Sequence, residues 1–295
     1  MKKIIKAIVP KFTIRFVQNI IYYSQSTQKI SYAGFILEVP RKHLLIGISN
    51  NKNSIRDQCI GISAKYTALR YEDCSIVDIG ANIGDTAAIL ASYVKNKLIL
   101  VEASTYFYRL LKQNSTQFSN NVDIINAFIL GGTQVKGSLV HWGGTAYYDT
   151  DAQNFKTVRS LNLEDVADNK TKFVKIDADG CDNQIILSSL SFISKQKPLL
   201  FFEEMIRNSK DLLDANSVID ALAVLSYGYF ILWDQDGNYL LSTSNLSELK
   251  DRLDSLFKIW TTESNKTIYN YEILAIPEDD STIFEQISAH YSAND

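Results

Sequence analysis

Apolar residues fall in short bursts separated by longer amphipathic stretches, and this rhythm governs the chain from residue 75 onward. Ser75-Ile76-Val77-Asp78-Ile79, Leu98-Ile99-Leu100-Val101-Glu102, Val122-Asp123-Ile124-Ile125-Asn126-Ala127, Phe173-Val174-Lys175-Ile176-Asp177 and Pro198-Leu199-Leu200-Phe201-Phe202-Glu203 are too short for helices. Their dense apolar character predicts strands buried on both faces, as in a parallel sheet. Helical spacing fills 85–94, 104–116, 183–194 and 211–226. Tyr229–Trp233 and Tyr271–Ile276 add two closing strands around a helical insertion at 246–258, and the lack of a full crossover between them predicts an antiparallel edge. Ahead of these lie a short strand at Ile36–Pro40 and a helix bearing Ile55, Ile60, Ile62 and Tyr66 on or near one face. The alternation predicts an α/β domain: a mostly parallel seven-stranded sheet, helices on both faces, an antiparallel edge strand.

Two segments depart from the rhythm. Residues 131–160 are rich in Gly, Thr and Tyr and read as hairpins and loops; 238–268 reads as a C-terminal insertion. The first 37 residues differ in charge: Lys2, Lys3, Lys6, Lys11, Arg15 and Lys29 precede the first acid, Glu38, with Ile4, Ile5, Ile8, Val9, Ile14, Phe16, Val17, Ile20 and Ile21 among them. No apolar run there reaches the ~18 residues of a membrane span, and no cleavage site follows it. Either a basic amphipathic helix lies on an anionic membrane surface, or the helix packs on the domain or a partner subunit. The reading is thus a basic segment 1–37 and one domain, 38–295.

Composition narrows the class. With 46% hydrophobic and 21% charged residues the chain has the makings of a sizeable core, and a net charge of −3 selects no polyanion. No recognition helix, zinc finger or RNA-binding sheet motif is present, so nucleic acid is not an expected partner. Cys59, Cys74 and Cys181 are widely spaced and odd in number, which points to buried thiols and a reducing cytoplasm rather than a disulfide framework.

Candidate chemistry gathers at the carboxyl ends of the strands, where ligands bind in open α/β sheets. Asp78-Ile79-Gly80-Ala81-Asn82-Ile83-Gly84-Asp85 follows the first central strand, with Gly80 and Gly84 free to turn sharply. Asn82 stands where a dinucleotide fingerprint needs its middle glycine, so a zwitterionic amino-acid tail suits the loop better than a pyrophosphate. Glu102 ends the next strand and can accept from both ribose hydroxyls of an adenosine; Asn126 and Ala127 would flank the adenine edge.

Those blocks, with Phe173-Val174-Lys175-Ile176-Asp177-Ala178-Asp179-Gly180 and the strand ending Phe201-Phe202-Glu203, resemble the FkbM family of methyltransferases over roughly residues 40–235, and Arg41-Lys42-His43-Leu44 resembles the His-bearing segment before its domain. The resemblance implies a Rossmann-like class I methyltransferase fold and S-adenosyl-L-methionine-dependent O-methylation, commonly of sugar or secondary-metabolite hydroxyls, often in bacterial surface polysaccharide. Cys181-Asp182 departs from the family's usual residues, so acceptor identity is not carried over.

Methyl transfer to a weakly nucleophilic hydroxyl calls for a proton acceptor or a metal. Asp177, Asp179 and Glu203 end the fourth and fifth strands and could act as a base with orienting partners, with Asp177 the first choice. They could instead hold Mg²⁺, or be structural, with Asp179-Gly180 a turn and Glu203 paired with Lys175 or Arg207. His141, in the Gly-rich loop with Trp142, Tyr147 and Tyr148, is a second base candidate; His43 and His290 are weaker ones. The competing functions are a catalytically silent scaffold of a glycan-assembly complex and a nicotinamide-dependent oxidoreductase.

Overall fold

The structure is a computed structural model that describes residues 26–50, 55–132, 134–142, 144–149, 156–264 and 266–293. It opens with a hairpin of β1 (Thr27–Tyr32) and β2 (Phe35–Pro40), turned by Ala33 and Gly34, both at positive φ. Such dihedrals match a tight turn to the twist of its strands. The hairpin straddles residue 37, and the basic residues 1–25 lie outside the described residues. Two helices follow, α1 (Leu45–Asn50) and α2 (Gln58–Arg70).

The alternation expected from residue 75 is then realised. It runs β3 (Ser75–Ile79), α3 (Asp85–Tyr93), β4 (Lys97–Val101), α4 (Thr105–Asn114) and β5 (Val122–Ile125). Next come four strands outside the main sheet: β6 (Phe128–Ile129), β7 (Gln134–Trp142), β8 (Thr145–Asp149) and β9 (Lys156–Leu161), hydrogen-bonded in the order β6-β9-β7-β8. Then follow β10 (Thr171–Ile176), α5 (Asp182–Ser188) and α6 (Leu190–Gln196). The single helix expected at 183–194 breaks at Ser189, in a serine-rich stretch where Ser188 Oγ donates back to the Ile185 carbonyl. Serine side chains compete with the helical ladder in this way. The chain closes with β11 (Leu199–Glu204), α7 (Ser209–Val224), β12 (Tyr227–Asp234), β13 (Tyr239–Thr243), α8 (Leu246–Thr262), β14 (Tyr271–Pro277) and α9 (Ser281–Ser292).

The main sheet has eight strands in the order β13-β12-β14-β11-β10-β3-β4-β5. β5, β4, β3, β10 and β11 are parallel, while β14 runs antiparallel to both neighbours, β11 and β12. This is the Rossmann-like class I methyltransferase topology, with two corrections to the expectation. The antiparallel β14 lies inside the sheet, and an eighth strand, β13, forms the edge. A turn rich in local bonds creates that edge: Asp234 Oδ1 accepts from the amides of Asp236 and Asn238, and Gly237 takes φ +84°. Asp and Gly are the residues such a turn demands.

Alternate residues of each strand face opposite helical layers. Val77, Ile99, Val174, Leu200, Phe230 and Ile273 pack against α5–α8; Ile76, Leu98, Phe173, Phe201, Ile231 and Leu274 pack against α2, α3, α4 and α9. Helix α9 lies beyond the last strand read from the sequence. Its Ile283 and Ile287 are fully buried, and Phe284 stacks on Tyr229 at 4.7 Å between centroids. Among the described residues no helix is long and apolar enough to cross a membrane.

The buried Tyr227 hydroxyl donates to the Pro198 carbonyl at 2.6 Å, tying the start of β12 to the start of β11. Tyr227→Phe leaves that buried carbonyl unmatched and is expected to lower stability by about 1–3 kcal/mol in urea unfolding; an unchanged midpoint would assign the bond no net role.

Candidate active site

Three positive-φ residues, Gly80 (+80°), Asn82 (+48°) and Gly84 (+92°), fold the chain tightly between β3 and α3. At Gly80 the requirement is absolute in space as well: a Cβ would stand 1.8 Å from the carbonyl oxygen of Asp177. The loop is anchored through its amides. Gly80 and Ala81 donate to the Val101 carbonyl at 2.9 and 3.0 Å, and Asn82 N donates to Glu102 Oε2 at 2.8 Å. Asp85 begins α3, where a negative charge is favoured by the helix dipole.

Asp78 is wholly buried beneath this loop. Its in-register neighbour on β10 is Lys175, whose ammonium lies 3.2 Å from Asp78 Oδ1 and 3.2 Å from Asp177 Oδ2. Burial alone would push the Lys175 pKa down, but Asp177, Asp78 and Asp85 together hold it well above the ordinary lysine value. Burial also raises Asp78, and Lys175 partly offsets it. The ammonium is thus charged and shared between two strand tips.

Beyond Asp78 the tips of β3, β4, β5 and β10 open on one cleft with about 500 Å³ of space not filled by atoms, part of it solvent. Gly80, Asn82, Glu102, Ala127, Asp177 and Asp179 line it, together with Phe128, Ile185 and the hairpin residues Leu139, Thr145 and Ala146. Glu102 also accepts from Ser104 N at 2.6 Å; burial outweighs these two amide bonds and raises its pKa to about 7. Ala127 is on the wall, but the Asn126 amide turns back to the carbonyls of Glu102 and Ala103 and braces the strand end. An apolar wall for a base, a carboxylate for a diol and acids for a cation fit an adenosyl sulfonium.

Asp179 takes φ +48° and accepts from Thr145 Oγ1. Water reaches it from the cleft, yet protein surrounds it closely enough that burial, with the Asp177 charge, raises its pKa to about 7. It also borders a second, larger hollow, lined by Asp182, Asn183, Glu203, Glu204 and Arg207. Glu203 does not pair with Lys175 or Arg207. Arg207 pairs with Asp211, and Glu203 faces Glu272 in register on β14. Burial and the acids around them hold Glu203 and Glu272 well above the carboxylate range. Arg56, in the segment before α2, is the cation near both, and Asp57 beside it accepts from the Tyr32 hydroxyl at 3.1 Å. Asp57, Arg56, Thr145 and Glu272 were not singled out from the sequence. Only Glu272 carries a signal, a charge within an otherwise apolar strand. Among the described residues no cluster of three or more His, Cys, Asp or Glu side chains has the geometry of a metal centre, so the arrangement of these acids gives Mg²⁺ no support.

Comparison with known proteins gives this arrangement its family. The Methyltransferase FkbM domain model matches residues 78–231, more than half the chain. The chain belongs to the FkbM methyltransferase family. Similar solved structures include methyltransferase FkbM from Methylobacillus flagellatus KT (15% identity, TM-score 0.42, 71% of this chain and 47% of that one), so this chain spans about half of that protein. Others are the plantazolicin methyltransferase BamL bound to a desmethylPZN analog and SAH (11%, 0.43, 77% and 86%) and M. jannaschii TYW2 with AdoMet (12%, 0.40, 85% and 86%). A search of curated proteins returned no match.

Within this FkbM chain the histidines depart from the base role read for them. His141 is buried, its Nε2 is 2.7 Å from Ser104 Oγ, and burial lowers its pKa to about 4. It is a neutral tether between β7 and the start of α4. His43 is also buried, and its Nδ1 accepts from Leu45 N at 3.2 Å. His290 packs edge-on against Tyr66 and Tyr291. The side chains of Trp142, Tyr147 and Tyr148 lie outside the described residues. The three cysteines are buried and unbridged, and burial raises each thiol, Cys74 to about 11 and Cys181 to about 12.

Lys175→Met would strand Asp78 in the core. Removing one partner of a buried ion pair costs about 3–5 kcal/mol, and a loss of that size is expected in urea unfolding at pH 7. A loss below about 1 kcal/mol would show that Asp78 folds in its neutral form.

Proposed function

We propose that this FkbM family member transfers a methyl group from S-adenosyl-L-methionine to a hydroxyl of a sugar, in the assembly of a bacterial surface polysaccharide or glycolipid. One observation carries the reading. Gly80, Asn82, Glu102, Ala127, Asp177 and Asp179, from the tips of four adjacent strands, line a single cleft. When bound, S-adenosyl-L-methionine supplies an electrophilic methyl group on a sulfonium.

The chain's own residues would do the rest. Ala127, Phe128 and Ile185 offer the adenine an apolar wall, and the Asn82 loop holds the amino-acid end. Glu102 accepts from the ribose hydroxyls through lone pairs its two amide bonds leave open. Asp179, rather than Asp177, suits the role of proton acceptor. Its pKa near 7 matches a base working at neutral pH, and it borders both hollows. Asp177 is drawn toward Lys175 and acts on Asp179 through its charge. Burial holds Asp182, Glu203 and Glu204 above the usual carboxylate range, Glu204 at about 8, so this wall can donate as carboxylic acid and accept as carboxylate, which suits a hydroxyl-rich acceptor. The basic start of the chain supports a peripheral seat on the cytoplasmic face of a membrane.

The deciding experiment follows label from methyl-labelled S-adenosyl-L-methionine into a bacterial glycan extract; cofactor binding with no transfer to any acceptor would turn the reading toward a silent scaffold. Asp179→Asn keeps a residue that tolerates positive φ. It is expected to retain S-adenosylhomocysteine binding while cutting kcat by about 10²–10⁴ and abolishing a rise in rate as pH climbs through about 7. Full activity would remove Asp179 from the chemistry.

Glu102 gives a second test. Below pH 7 its carboxyl is protonated in the free protein and must lose that proton to accept from both hydroxyls. Affinity for S-adenosylhomocysteine should therefore fall as pH drops below 7, by at most roughly tenfold per unit, and Glu102→Gln should flatten that slope. A slope retained in the variant would assign it elsewhere.

A further inference from the structure

Three bonds draw the β7–β8 hairpin onto the strand tips. His141 meets Ser104 after β4, Gly144 O accepts from Asn82 Nδ2 at 2.9 Å in the loop after β3, and Thr145 donates to Asp179 after β10. With those bonds made, Leu139, Thr145 and Ala146 complete the outer wall of the cleft. The tip also fits closely into the corner at residues 43–44. A Cβ on Gly144 would stand 3.0 Å from His43 Cδ2 and 3.1 Å from Leu44 N, and Gly144 has φ +108°. Three segments far apart in sequence therefore converge at Asn82.

His43 holds an unfinished contact there. Its Nδ1 accepts from Leu45 N, so the proton of the neutral ring is on Nε2. His43 Cδ2, the carbon bonded to that nitrogen, is the atom that packs 3.0 Å from the Gly144 Cβ position, and the Asn82 side chain and the Gly144 backbone are the polar groups that act on the ring. Among the described residues neither His43 Nε2 nor Asn82 Oδ1 completes a hydrogen bond, although both atoms are buried. Unpaired buried donors and acceptors are rare and costly. Here one of each stands on side chains that both meet Gly144.

We propose that the β7–β8 hairpin is a latch over the cofactor cleft, and that His43 is the positioning residue that locks it by donating Nε2–H to Asn82 Oδ1. Asn82 then holds the hairpin with its amide nitrogen and the 43–45 corner with its oxygen, while its backbone forms the cofactor loop. Loading the cleft and seating the hairpin become one equilibrium. The ligand-bound half of this idea rests on the adenosine placement proposed above; the ligand-free half does not.

Hydrogen–deuterium exchange on the full chain, with S-adenosylhomocysteine as the probe, tests both halves. In the wild type, ligand is expected to slow exchange of amides 139–142 and 144–146 by about tenfold or more. His43→Ala should speed the same amides by about tenfold without ligand and raise the ligand off-rate to a similar degree. His43→Gln, which offers an amide donor, should restore both. Equal ligand-free exchange in wild type and His43→Ala, or a well-folded His43→Gln as loose as His43→Ala, overturns the latch. If S-adenosylhomocysteine does not bind at all, the cofactor placement fails, and the ligand-free comparison still judges the latch. Should His43→Ala not fold, Asn82→Asp, which removes the donor to Gly144, carries the same comparison at residues 144–146; unchanged exchange there counts against the proposal.

Discussion

One buried ammonium couples the two halves of this site. Burying an ionised Asp78 under the loop after β3 imposes a desolvation cost that a paired cation offsets, and the in-register position on β10 supplies Lys175. Because side chains two apart on a strand share a face, Lys175 also reaches Asp177 at the mouth of the cleft. A single side chain thus ties the strand that carries the glycine loop to the strand that carries the acids. Gly80 fixes their distance in the backbone, since nothing larger than hydrogen fits against the Asp177 carbonyl. Electrostatics and sterics specify one geometry from opposite sides.

The acids that surround this pair form an imbalance rather than a set of salt bridges. Asp57, Asp177, Asp179, Glu203 and Glu272 face two cations, Lys175 and Arg56, and Lys175 is already shared. Like charges this close cannot all ionise. Burial first, and this crowding second, raise Asp179, Glu203 and Glu272, so each holds a proton more tightly than a solvated carboxylate. The same imbalance leaves the site short of positive charge. A sulfonium arriving in the neighbouring cleft would reduce that deficit, so the acids that raise one another's pKa also favour the cofactor.

How much of this was legible from sequence follows from where each residue sits. Strand-tip residues were readable because a parallel sheet delivers them to one end, and Gly80, Asn82, Glu102, Ala127, Asp177 and Asp179 meet there. Asn126 was misread, since position alone cannot tell a side chain that faces a ligand from one that braces the backbone. His141 was misread for want of its burial and its bond to Ser104. The place of β14 was recoverable. Tyr271–Ile276 is as continuously apolar as the central strands, which argues against an edge, whereas Tyr239–Thr243 has the mixed exposure of one. Arg56 and Asp57 fall just before α2, in the stretch read as helix from Ile55, and Thr145 falls in the hairpin, and no local pattern marks any of the three.

Topology explains why such featureless segments reach the site. Strand order turns at β3, with β4 and β5 on one side and β10 on the other, and ligands bind where that reversal opens a crevice. The connection that leaves β5 must pass over β4 and β3 to enter β10. Any insertion in that crossover, here β6 to β9, is carried across the mouth of the crevice whatever its own sequence. Its register, set by β7 pairing with both β8 and β9, then decides which residues hang over the strand tips. The strand-tip residues are therefore tied to sheet geometry, while the residues of β7 and β8 that overhang them depend on an insertion that the sheet positions without dictating its sequence.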